Sequence, residues 1–134
     1  MQVFIADDSA IICERLVTVI AETPGVELAG QARDTTEATR SILKLRPDAV
    51  ILDVRMPPGS GVDVLQTIKR LAPPPKVIVL TNYPYPQYRK RCMDAGADYF
   101  LDKSADFEKL EPLLKRIAKE RAQHPQAREK SQGA

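Results

Sequence analysis

Short apolar runs alternate with longer amphipathic segments along the chain. Five runs rich in aliphatic and β-branched side chains, each bounded by turn-forming residues, predict strands at 3–6, 26–30, 49–52, 77–80 and 98–101. Between these runs, apolar residues recur every three or four positions, which is typical of amphipathic helices. Helices are therefore predicted over 9–22, 34–46, 62–71 and 104–121, with a shorter one that ends at Ala95.

Strand and helix alternate strictly in this prediction, and a (βα)5 order favours a doubly wound, five-stranded parallel sheet with helices on both faces. Residues 49–52 and 77–80 are apolar throughout, as expected for parallel strands that are covered on both sides. We expect one domain over residues 1–121. Residues 122–134 are polar and lack apolar periodicity, which predicts a flexible basic tail. Pro112 is expected to kink the last helix or to mark where its regular part begins.

The charge balance changes this picture only locally. The 134 residues carry a formal net charge of +2, which excludes a polycation that binds nucleic acid through charge alone. The first 114 residues hold 14 basic and 16 acidic side chains, whereas residues 115–130 hold six basic and two acidic ones. This basic stretch lacks interleaved aromatic residues, so a solvated helix end is favoured over a nucleic-acid contact.

The cellular compartment is indicated by features that the sequence lacks. Cys13 and Cys92 are too few for a disulfide scaffold, and we expect them to be small buried residues in a reducing compartment. The N-terminus shows no basic region followed by an apolar stretch, so no signal peptide is predicted. No apolar run is long enough to span a membrane. We therefore expect a cytoplasmic protein.

Candidate chemistry lies at the ends of the predicted strands, because open α/β sheets bind ligands beyond the carboxyl ends of their strands. The polar residues at those ends are Asp7, Asp8, Asp53, Thr81 and Lys103. Converging carboxylates repel each other unless a cation neutralises them, and oxygen ligands without His or Cys favour Mg²⁺. A hydroxyl and an ammonium group suit phosphoryl oxygens. The set predicts a site for phosphoryl transfer in which Asp53, at the end of the most buried strand, is the nucleophile.

These residues, together with two loop motifs, resemble the receiver domains of two-component response regulators. Residues 56–63, MPPGSGVD, are similar to that family's loop after the phospho-acceptor. Residues 95–104, AGADYFLDKS, are similar to its fifth strand and following loop. The resemblance extends from residue 2 to about residue 120. It implies a flavodoxin-like receiver fold and a phosphorylation-dependent signalling switch, with no enzymatic activity beyond its own phosphoryl transfer and slow self-dephosphorylation.

The resemblance also implies a role for each residue of the phosphoryl site. Asp53 accepts the phosphoryl group from a histidine kinase or a phosphotransfer protein. Asp8 ligates Mg²⁺ directly and Asp7 acts mainly through metal-bound water, while Asp53 and the backbone carbonyl of Arg55 complete the metal site. Lys103 binds a phosphoryl oxygen, and it pairs with Asp53 before phosphorylation.

The switch residues implied by the resemblance are Thr81, which moves toward the phosphate, and Phe100, which turns inward with it. This chain departs from the family beside them, because Asn82 stands where the family usually has a small residue. Arg55 and Tyr83 occupy positions that flank the phosphoryl site and tune dephosphorylation in the family. A bulky cation and an aromatic ring at these positions predict that self-dephosphorylation is slow.

A second surface is indicated by the tyrosines. Three of the four tyrosines lie within residues 83–88, where prolines separate them. Because tyrosine is enriched at protein interfaces, a partner face is predicted at Tyr85, Tyr88, Arg89 and Tyr99. Packing at the start of a helix, with the prolines as spacers, is the alternative interpretation.

Other functions stay open on the sequence alone. Taken singly, Asp7 and Asp8 are ordinary caps of the first helix, Thr81 is a strand-end hydroxyl and Lys103 is a solvated charge. An aspartyl-nucleophile phosphatase would also use Mg²⁺, but such enzymes usually carry a second Asp where this chain has Arg55. A degenerate receiver and the receiver half of a longer DNA-binding regulator are further alternatives.

The partners expected from this interpretation are proteins. We expect a single-domain response regulator that binds a histidine kinase or phosphotransfer protein and an unknown downstream protein. No contact with a membrane is expected, and direct contact with nucleic acid is disfavoured. The chain is expected to be a monomer or a phosphorylation-dependent dimer.

Overall fold

The structure is a computed structural model that describes residues 1–123. Its strands are β1 (Gln2–Ala6), β2 (Glu27–Ala32), β3 (Ala49–Leu52), β4 (Lys76–Thr81) and β5 (Tyr99–Asp102). Its helices are α1 (Ala10–Glu22), α2 (Thr35–Leu45), α3 (Gly61–Ile68), α4 (Pro86–Asp94) and α5 (Leu110–Ala122). A 3₁₀ turn over Phe107–Lys109 precedes α5. The predicted alternation of strand and helix is therefore confirmed.

The five strands form one parallel sheet in the order β2-β1-β3-β4-β5. The register aligns the carboxyl ends of the central strands, because Ala6 pairs with Leu52 and Leu52 pairs with Val79. The residue after β3 is held to the neighbouring strand, since the Asp53 N–H donates to the Ala6 carbonyl at 2.9 Å. Side chains that follow the strands thus emerge at one edge of the sheet, as the doubly wound fold requires.

Each face of the sheet carries its own hydrophobic core, since successive strand residues point to opposite sides. The face covered by α2, α3 and α4 buries side chains that include Phe4, Ile42, Leu52, Leu65 and Cys92. The face covered by α1 and α5 buries side chains that include Ile5, Cys13, Leu16, Ile51 and Leu114. Both cysteines are buried and free, as predicted.

Two helices begin where the sequence places their caps. The Ser9 Oγ accepts a hydrogen bond from the Ile12 N–H at 3.3 Å, and an Asp34 carboxylate oxygen accepts one from the Glu37 N–H at 2.7 Å. Three other predicted boundaries are wrong, because β2 ends at Ala32 rather than at residue 30, α3 ends at Ile68 rather than at residue 71, and α5 begins at Leu110 rather than at residue 104. Pro112 lies in the first turn of α5, where a missing N–H removes no helical hydrogen bond, so it marks the start of the regular helix.

The structure describes the predicted basic tail over residues 122–134 only as far as residue 123. α5 ends at Ala122, and the rest of the predicted basic tail, from residue 124 onward, lies outside the described residues. Within residues 1–123, no helix combines the length and the apolar character that crossing a membrane requires.

Candidate functional site

Three carboxylates meet at the carboxyl edge of the sheet. Asp7 and Asp8 follow β1, and Asp53 follows β3. Each of the three offers a carboxylate oxygen, and these oxygens lie within 4.8 Å of one another. Asp7 and Asp53 are buried, whereas Asp8 is exposed. We call these residues the acidic cluster, and the convergence that the strand-end positions predict is thereby confirmed.

A buried ammonium group joins two members of the acidic cluster. The Lys103 Nζ lies 2.7 Å from Asp7 Oδ2 and 2.9 Å from Asp53 Oδ2, and only 4% of the lysine side chain is exposed. The Lys103 N–H donates to the Thr81 carbonyl at 2.9 Å, which ties the chain after β5 to the end of β4. The pairing with Asp53 agrees with what the family resemblance implies. The second pairing, with Asp7, was not foreseen from the sequence.

The second oxygen of each buried carboxylate accepts a backbone hydrogen bond. Asp53 Oδ1 accepts from the Arg55 N–H at 3.0 Å, and Asp7 Oδ1 accepts from the Ser9 N–H at 2.9 Å. Both carboxylates are therefore fixed at both oxygens, one by the local turn and the other by Lys103. Such bonds favour the charged carboxylate and hold its orientation before any ligand arrives.

Burial and hydrogen bonding act in opposite directions on the pKa values at this site. Burial raises the pKa of Asp53 above its ordinary value of 3.8, and the hydrogen bonds from the Arg55 N–H and from Lys103 offset only part of that rise. Burial by itself would lower the pKa of Lys103, but its hydrogen bonds to Asp7 and Asp53 raise the pKa on balance. Three carboxylates against one ammonium leave the centre formally negative. A divalent cation would balance that charge.

The loop that follows Asp53 is held by two residues that the sequence did not single out. The Gly61 N–H donates to the Val54 carbonyl at 2.9 Å. A Cβ at Gly61 would overlap the Asp53 carbonyl oxygen and would lie 2.6 Å from Val54 Cα, so only glycine fits this close approach. The glycine-containing motif at 56–63 carried a signal for this position, but the sequence does not reveal what the glycine contacts.

Thr35, the first residue of α2, clamps the same loop from the other side. Its backbone N–H donates to the Pro57 carbonyl at 3.2 Å, and its Oγ1 accepts from the Gly59 N–H at 3.1 Å. Thr35 is buried, whereas Pro57 and Gly59 are exposed, so the two bonds hold an exposed loop to the first turn of α2. In the sequence, Thr35 is simply a polar residue after the Asp34 cap, and no periodicity marks its role.

A cleft of about 460 Å³ opens beside the acidic cluster. Its lining brings together most of the predicted site residues, namely Asp8, Asp53, Arg55, Asn82, Tyr83 and Lys103, with Ser9, Met56, Pro57 and Gly59 completing the wall. Thr81 is fully buried at the end of β4, and its Oγ1 accepts a hydrogen bond from the Tyr83 N–H at 3.0 Å. The threonine hydroxyl is thus engaged with the backbone that carries Tyr83.

Arg55 and Tyr83 stack at the edge of this cleft. The Arg55 guanidinium carbon lies 4.3 Å from the centre of the Tyr83 ring, a cation–π contact. Phe100 is half-buried and packs on the α2, α3 and α4 side of the sheet, with the Arg89 guanidinium carbon 5.8 Å from its ring centre.

The predicted partner residues lie on two sides of β5. Tyr85 and Tyr88 stand at the start of α4, and their ring centres are 6.0 Å apart. Tyr99 packs on the side of the sheet that carries α1 and α5, where its hydroxyl accepts a hydrogen bond from Arg116 at 3.1 Å. Tyr99 therefore lies across the edge strand from the other members of the predicted face, which are Tyr85, Tyr88 and Arg89.

Comparison with known proteins places these observations in a family. A family model described as the response regulator receiver domain matches residues 3–115. The transcriptional regulatory protein YvfU of Bacillus subtilis is 32% identical over 119 residues, which cover 89% of this chain and 60% of that protein. This chain therefore spans less than two thirds of that relative.

Two solved structures have the same arrangement of strands and helices. The response regulator domain of CheB from Thermotoga maritima matches with a TM-score of 0.77 and 28% identity, covering 89% of this chain and 94% of that domain. The CheX–CheY–BeF₃–Mg complex from Borrelia burgdorferi matches with a TM-score of 0.77 and 27% identity, covering 88% of this chain and 87% of the matched chain.

Proposed function

Since this chain belongs to the response regulator receiver domain family, we propose that it is a phosphorylation-dependent switch in which Asp53 is the phospho-acceptor. The observation that supports this assignment is the buried Asp53 carboxylate, held at one oxygen by the Arg55 N–H and at the other by Lys103. A carboxylate fixed in this way faces the cleft in one orientation and does not need to reorganise during transfer.

The proposed reaction is transfer from a phosphohistidine of a histidine kinase or phosphotransfer protein. A carboxylate oxygen of Asp53 forms a bond to phosphorus while the phosphorus–nitrogen bond breaks, and the electron pair of that bond returns to the imidazole of the donor. Lys103, already 2.9 Å from Asp53 Oδ2, binds an oxygen of the transferred group. The product is an aspartyl-phosphate on this chain.

The donor set of the acidic cluster fits Mg²⁺, because three carboxylates with oxygens within 4.8 Å and no nitrogen or sulfur ligand suit a hard cation. Asp8 and Asp53 would hold the ion directly together with the Arg55 backbone carbonyl, and Asp7 would hold it through water. When bound, Mg²⁺ supplies positive charge to the phosphoryl oxygens. The Borrelia complex contains both BeF₃ and Mg, which supports the proposal that this chain also binds Mg²⁺.

The proposed switch runs through Thr81 and Phe100. The Thr81 hydroxyl accepts a hydrogen bond from Tyr83 at 3.0 Å, so a movement of Thr81 toward a phosphoryl oxygen would shift the chain that leads into α4. Phe100 lies on the α4 side of β5 and would follow that shift. Tyr85, Tyr88 and Arg89 then form the responsive part of the partner face, and Tyr99 would join it only for a partner that spans the edge of β5.

We also propose that the aspartyl-phosphate is hydrolysed slowly. The Arg55 guanidinium and the Tyr83 ring stack at the edge of the cleft that an attacking water must enter. The arginine occupies the position where aspartyl-nucleophile phosphatases usually carry a second Asp. The chain accordingly acts as a signalling module rather than as a turnover enzyme.

The experiment that tests this assignment is labelling with acetyl phosphate in the presence of Mg²⁺, followed by intact-mass measurement. The wild-type chain is expected to gain one phosphoryl group, and Asp53→Asn is expected to gain none because it lacks the nucleophilic oxygen. Asp63→Asn is the matched control, since Asp63 is an exposed residue of α3. Equal labelling of Asp53→Asn and wild type would show that the phospho-acceptor is another residue.

A further inference from the structure

The tyrosine-rich segment before α4 forms a continuous aromatic surface. The ring centres of Tyr83 and Tyr85 are 6.4 Å apart, and those of Tyr85 and Tyr88 are 6.0 Å apart. Tyr85 is 52% exposed, whereas Tyr83 and Tyr88 are half-buried. We call these three residues the tyrosine strip. Covering such rings is favourable, and the hydroxyl of each ring can still form a hydrogen bond at the rim of an interface.

The backbone of the tyrosine strip is preorganised by proline. Pro84 and Pro86 alternate with the tyrosines, and Pro86 is the first residue of α4. Because proline fixes φ, the strip loses little backbone entropy when a partner covers it. Preorganisation of this kind lowers the entropic cost of binding a partner.

Positive charge continues directly from the tyrosine strip. Arg89, Lys90 and Arg91, which we call the basic run, are all exposed on α4. Lys90 pairs with Asp94 at 2.7 Å, but neither Arg89 nor Arg91 forms an ion pair with any residue between 1 and 123. The Arg55 guanidinium supplies a further cation at the other end of the strip. The surface is thus aromatic in its middle and cationic at the α4 end, whereas at the Tyr83 end the single Arg55 cation lies beside the negative acidic cluster.

Helix α4 is loosely attached to the body of the domain. Cys92 is the one buried side chain among its nine residues, and no side chain caps its first turn at Tyr85. An element with few buried apolar contacts belongs to the low-stability part of a fold and adjusts easily to a partner. Its position is coupled to the phosphoryl site through the hydrogen bond from the Tyr83 N–H to Thr81 and through the stack of Arg55 on Tyr83.

We propose that the tyrosine strip and the basic run bind an acidic, extended segment of the downstream protein. Apolar side chains of that segment cover the strip, and its carboxylates pair with Arg89 and Arg91. The regulatory part of this proposal rests on the proposed function. A phosphoryl group on Asp53 draws the Thr81 hydroxyl toward itself. Because Thr81 Oγ1 accepts a hydrogen bond from the Tyr83 N–H, the strip then changes its geometry and its affinity.

A protein segment fits this surface better than a nucleic acid does. Tyr83 lines the same cleft as Asp8 and Asp53, so a polyanion lying along the whole strip would run into the negative charge of the acidic cluster. A short acidic segment that ends at Tyr83 avoids that repulsion. The charge pattern therefore favours a ligand segment that is negatively charged and short enough to end at Tyr83.

The test is selection from a displayed random-peptide library on the immobilised wild-type chain, followed by anisotropy measurements with the enriched peptides. We expect enrichment of Asp and Glu around a Leu or aromatic residue. The affinity is expected to fall about tenfold for Tyr85→Ser and for Arg91→Gln, as for hot-spot residues, and to fall with added salt. Ile11→Ser and Lys115→Gln, at exposed positions on α1 and α5, are the matched controls and should bind as wild type does.

Three results would overturn the proposal. These are enrichment of neutral or basic peptides, equal binding by Tyr85→Ser and Arg91→Gln, and displacement of the peptide by a single-stranded oligonucleotide at a lower concentration than by unlabelled peptide. Adding beryllofluoride and Mg²⁺ to the wild type and to Asp53→Asn separates this proposal from the proposed function. If the chain binds the peptide equally well with and without beryllofluoride, the binding surface is supported and the phosphorylation switch is contradicted. If the chain takes up beryllofluoride but binds no peptide, only the proposed binding surface is contradicted.

Discussion

The acidic cluster and the tyrosine strip meet at the same cleft, yet they are built in opposite ways. In the cluster, Asp7, Asp53 and the associated Lys103 are each at most 6% exposed and hydrogen-bonded on both sides. In the strip, Tyr85 is 52% exposed, and α4 begins without a side-chain cap. The cluster is fixed before any ligand binds, whereas α4, which carries one end of the strip, buries only Cys92 among its side chains.

The two regions differ because the cluster buries charged groups, whereas the strip keeps its polar groups at the surface. A buried carboxylate is costly unless every oxygen has a partner, and no buried side-chain nitrogen or oxygen in residues 1–123 lacks a hydrogen-bond partner. Such complete pairing is possible because the paired residues lie at strand ends, whose positions the sheet determines. The strip carries its polar groups at the surface, where water satisfies them, so it can move with α4 without leaving a buried polar group unpaired. The proposed phosphoryl chemistry and the proposed response therefore belong to separate regions, and Arg55 and Thr81 are the residues that contact both.

The largest expected effect comes from removing the ammonium that joins the two buried carboxylates. Lys103→Met leaves Asp7 and Asp53 facing each other without a cation, and breaking a buried ion pair in this way costs about 3–5 kcal/mol of folding free energy. We expect urea unfolding at a clearly lower midpoint and no labelling by acetyl phosphate. Added Mg²⁺ should recover part of the lost stability, because it supplies positive charge to the same oxygens.

Lys115→Met is the control for this change. Lys115 pairs with Glu111 at 3.0 Å, but its side chain is 53% exposed, and exposed pairs contribute at most about 1 kcal/mol. If Lys103→Met and Lys115→Met unfold at the same urea concentration, the acidic cluster is not the tightly coupled centre described above.

A smaller loss is expected from Gly61→Ala. The added Cβ overlaps the Asp53 carbonyl oxygen and crowds Val54, and overpacking of this kind costs about 1–3 kcal/mol. Thermal unfolding should show the loss, and labelling of Asp53 should slow because the loop that carries it must shift. Gly59→Ala is the matched control, since its Cβ would approach no atom closer than Thr35 Oγ1 at 3.4 Å, an ordinary contact. Equal melting temperatures for the two variants would contradict the close approach at Gly61.

The pH dependence of stability tests whether burial raises the pKa of Asp53. Its pKa is raised in the folded state, so the folded chain binds the proton more tightly than the unfolded chain does. This contribution to stability is full below the ordinary value of 3.8 and is lost as the pH rises through the raised folded pKa. In metal-free buffer, Asp53→Asn should therefore gain stability relative to wild type as the pH rises across that window, by at most about 1.4 kcal/mol per pH unit. A stability difference that stays constant with pH would be inconsistent with a raised pKa.

Thr35→Val is expected to cost about 1 kcal/mol, because it leaves the Gly59 N–H without its acceptor. The loop after Asp53 should loosen, so the labelling rate should fall more than stability does. Thr35→Ser keeps the acceptor oxygen and should restore the rate, and Thr36→Val, at an exposed neighbouring position, should change neither. Failure of serine to restore labelling would mean that Thr35 acts through packing rather than through its hydroxyl.

Thr35 also shows how far the sequence carries a structural prediction. The convergence of Asp7, Asp53 and Lys103 is predictable, because strict alternation of strands and helices forces parallel strands whose ends share one edge. The contacts of Thr35 and Gly61 are not predictable in this way. They depend on the path of the loop over residues 54–61, and no hydrophobic period encodes that path.

The wrong start of α5 has a similar local cause. The Ser104 N–H donates to Asp102 at 2.9 Å, and the Asp102 N–H donates to Asp106 at 2.9 Å. These aspartates satisfy backbone groups in a turn, which competes with the helix that the apolar spacing predicts from residue 104. Helix formation is delayed to Leu110, where Pro112 can occupy the first turn.

The smallest expected effect lies where the two regions touch. Removing the cation–π contact by Arg55→Ala or Tyr83→Ala loses about 0.5–1 kcal/mol of interaction at the edge of the cleft. If that stack limits the entry of water, hydrolysis of the aspartyl-phosphate should accelerate about two- to fivefold in either variant, since a tenfold change in rate corresponds to about 1.4 kcal/mol. The measurement is the decay of phosphorylated chain by intact mass after removal of acetyl phosphate. Arg40→Ala, at an exposed position on α2, is the control. A half-life that neither Arg55→Ala nor Tyr83→Ala alters would mean that the fixed centre alone sets the lifetime of the phosphorylated state, and that the tyrosine strip only responds to it.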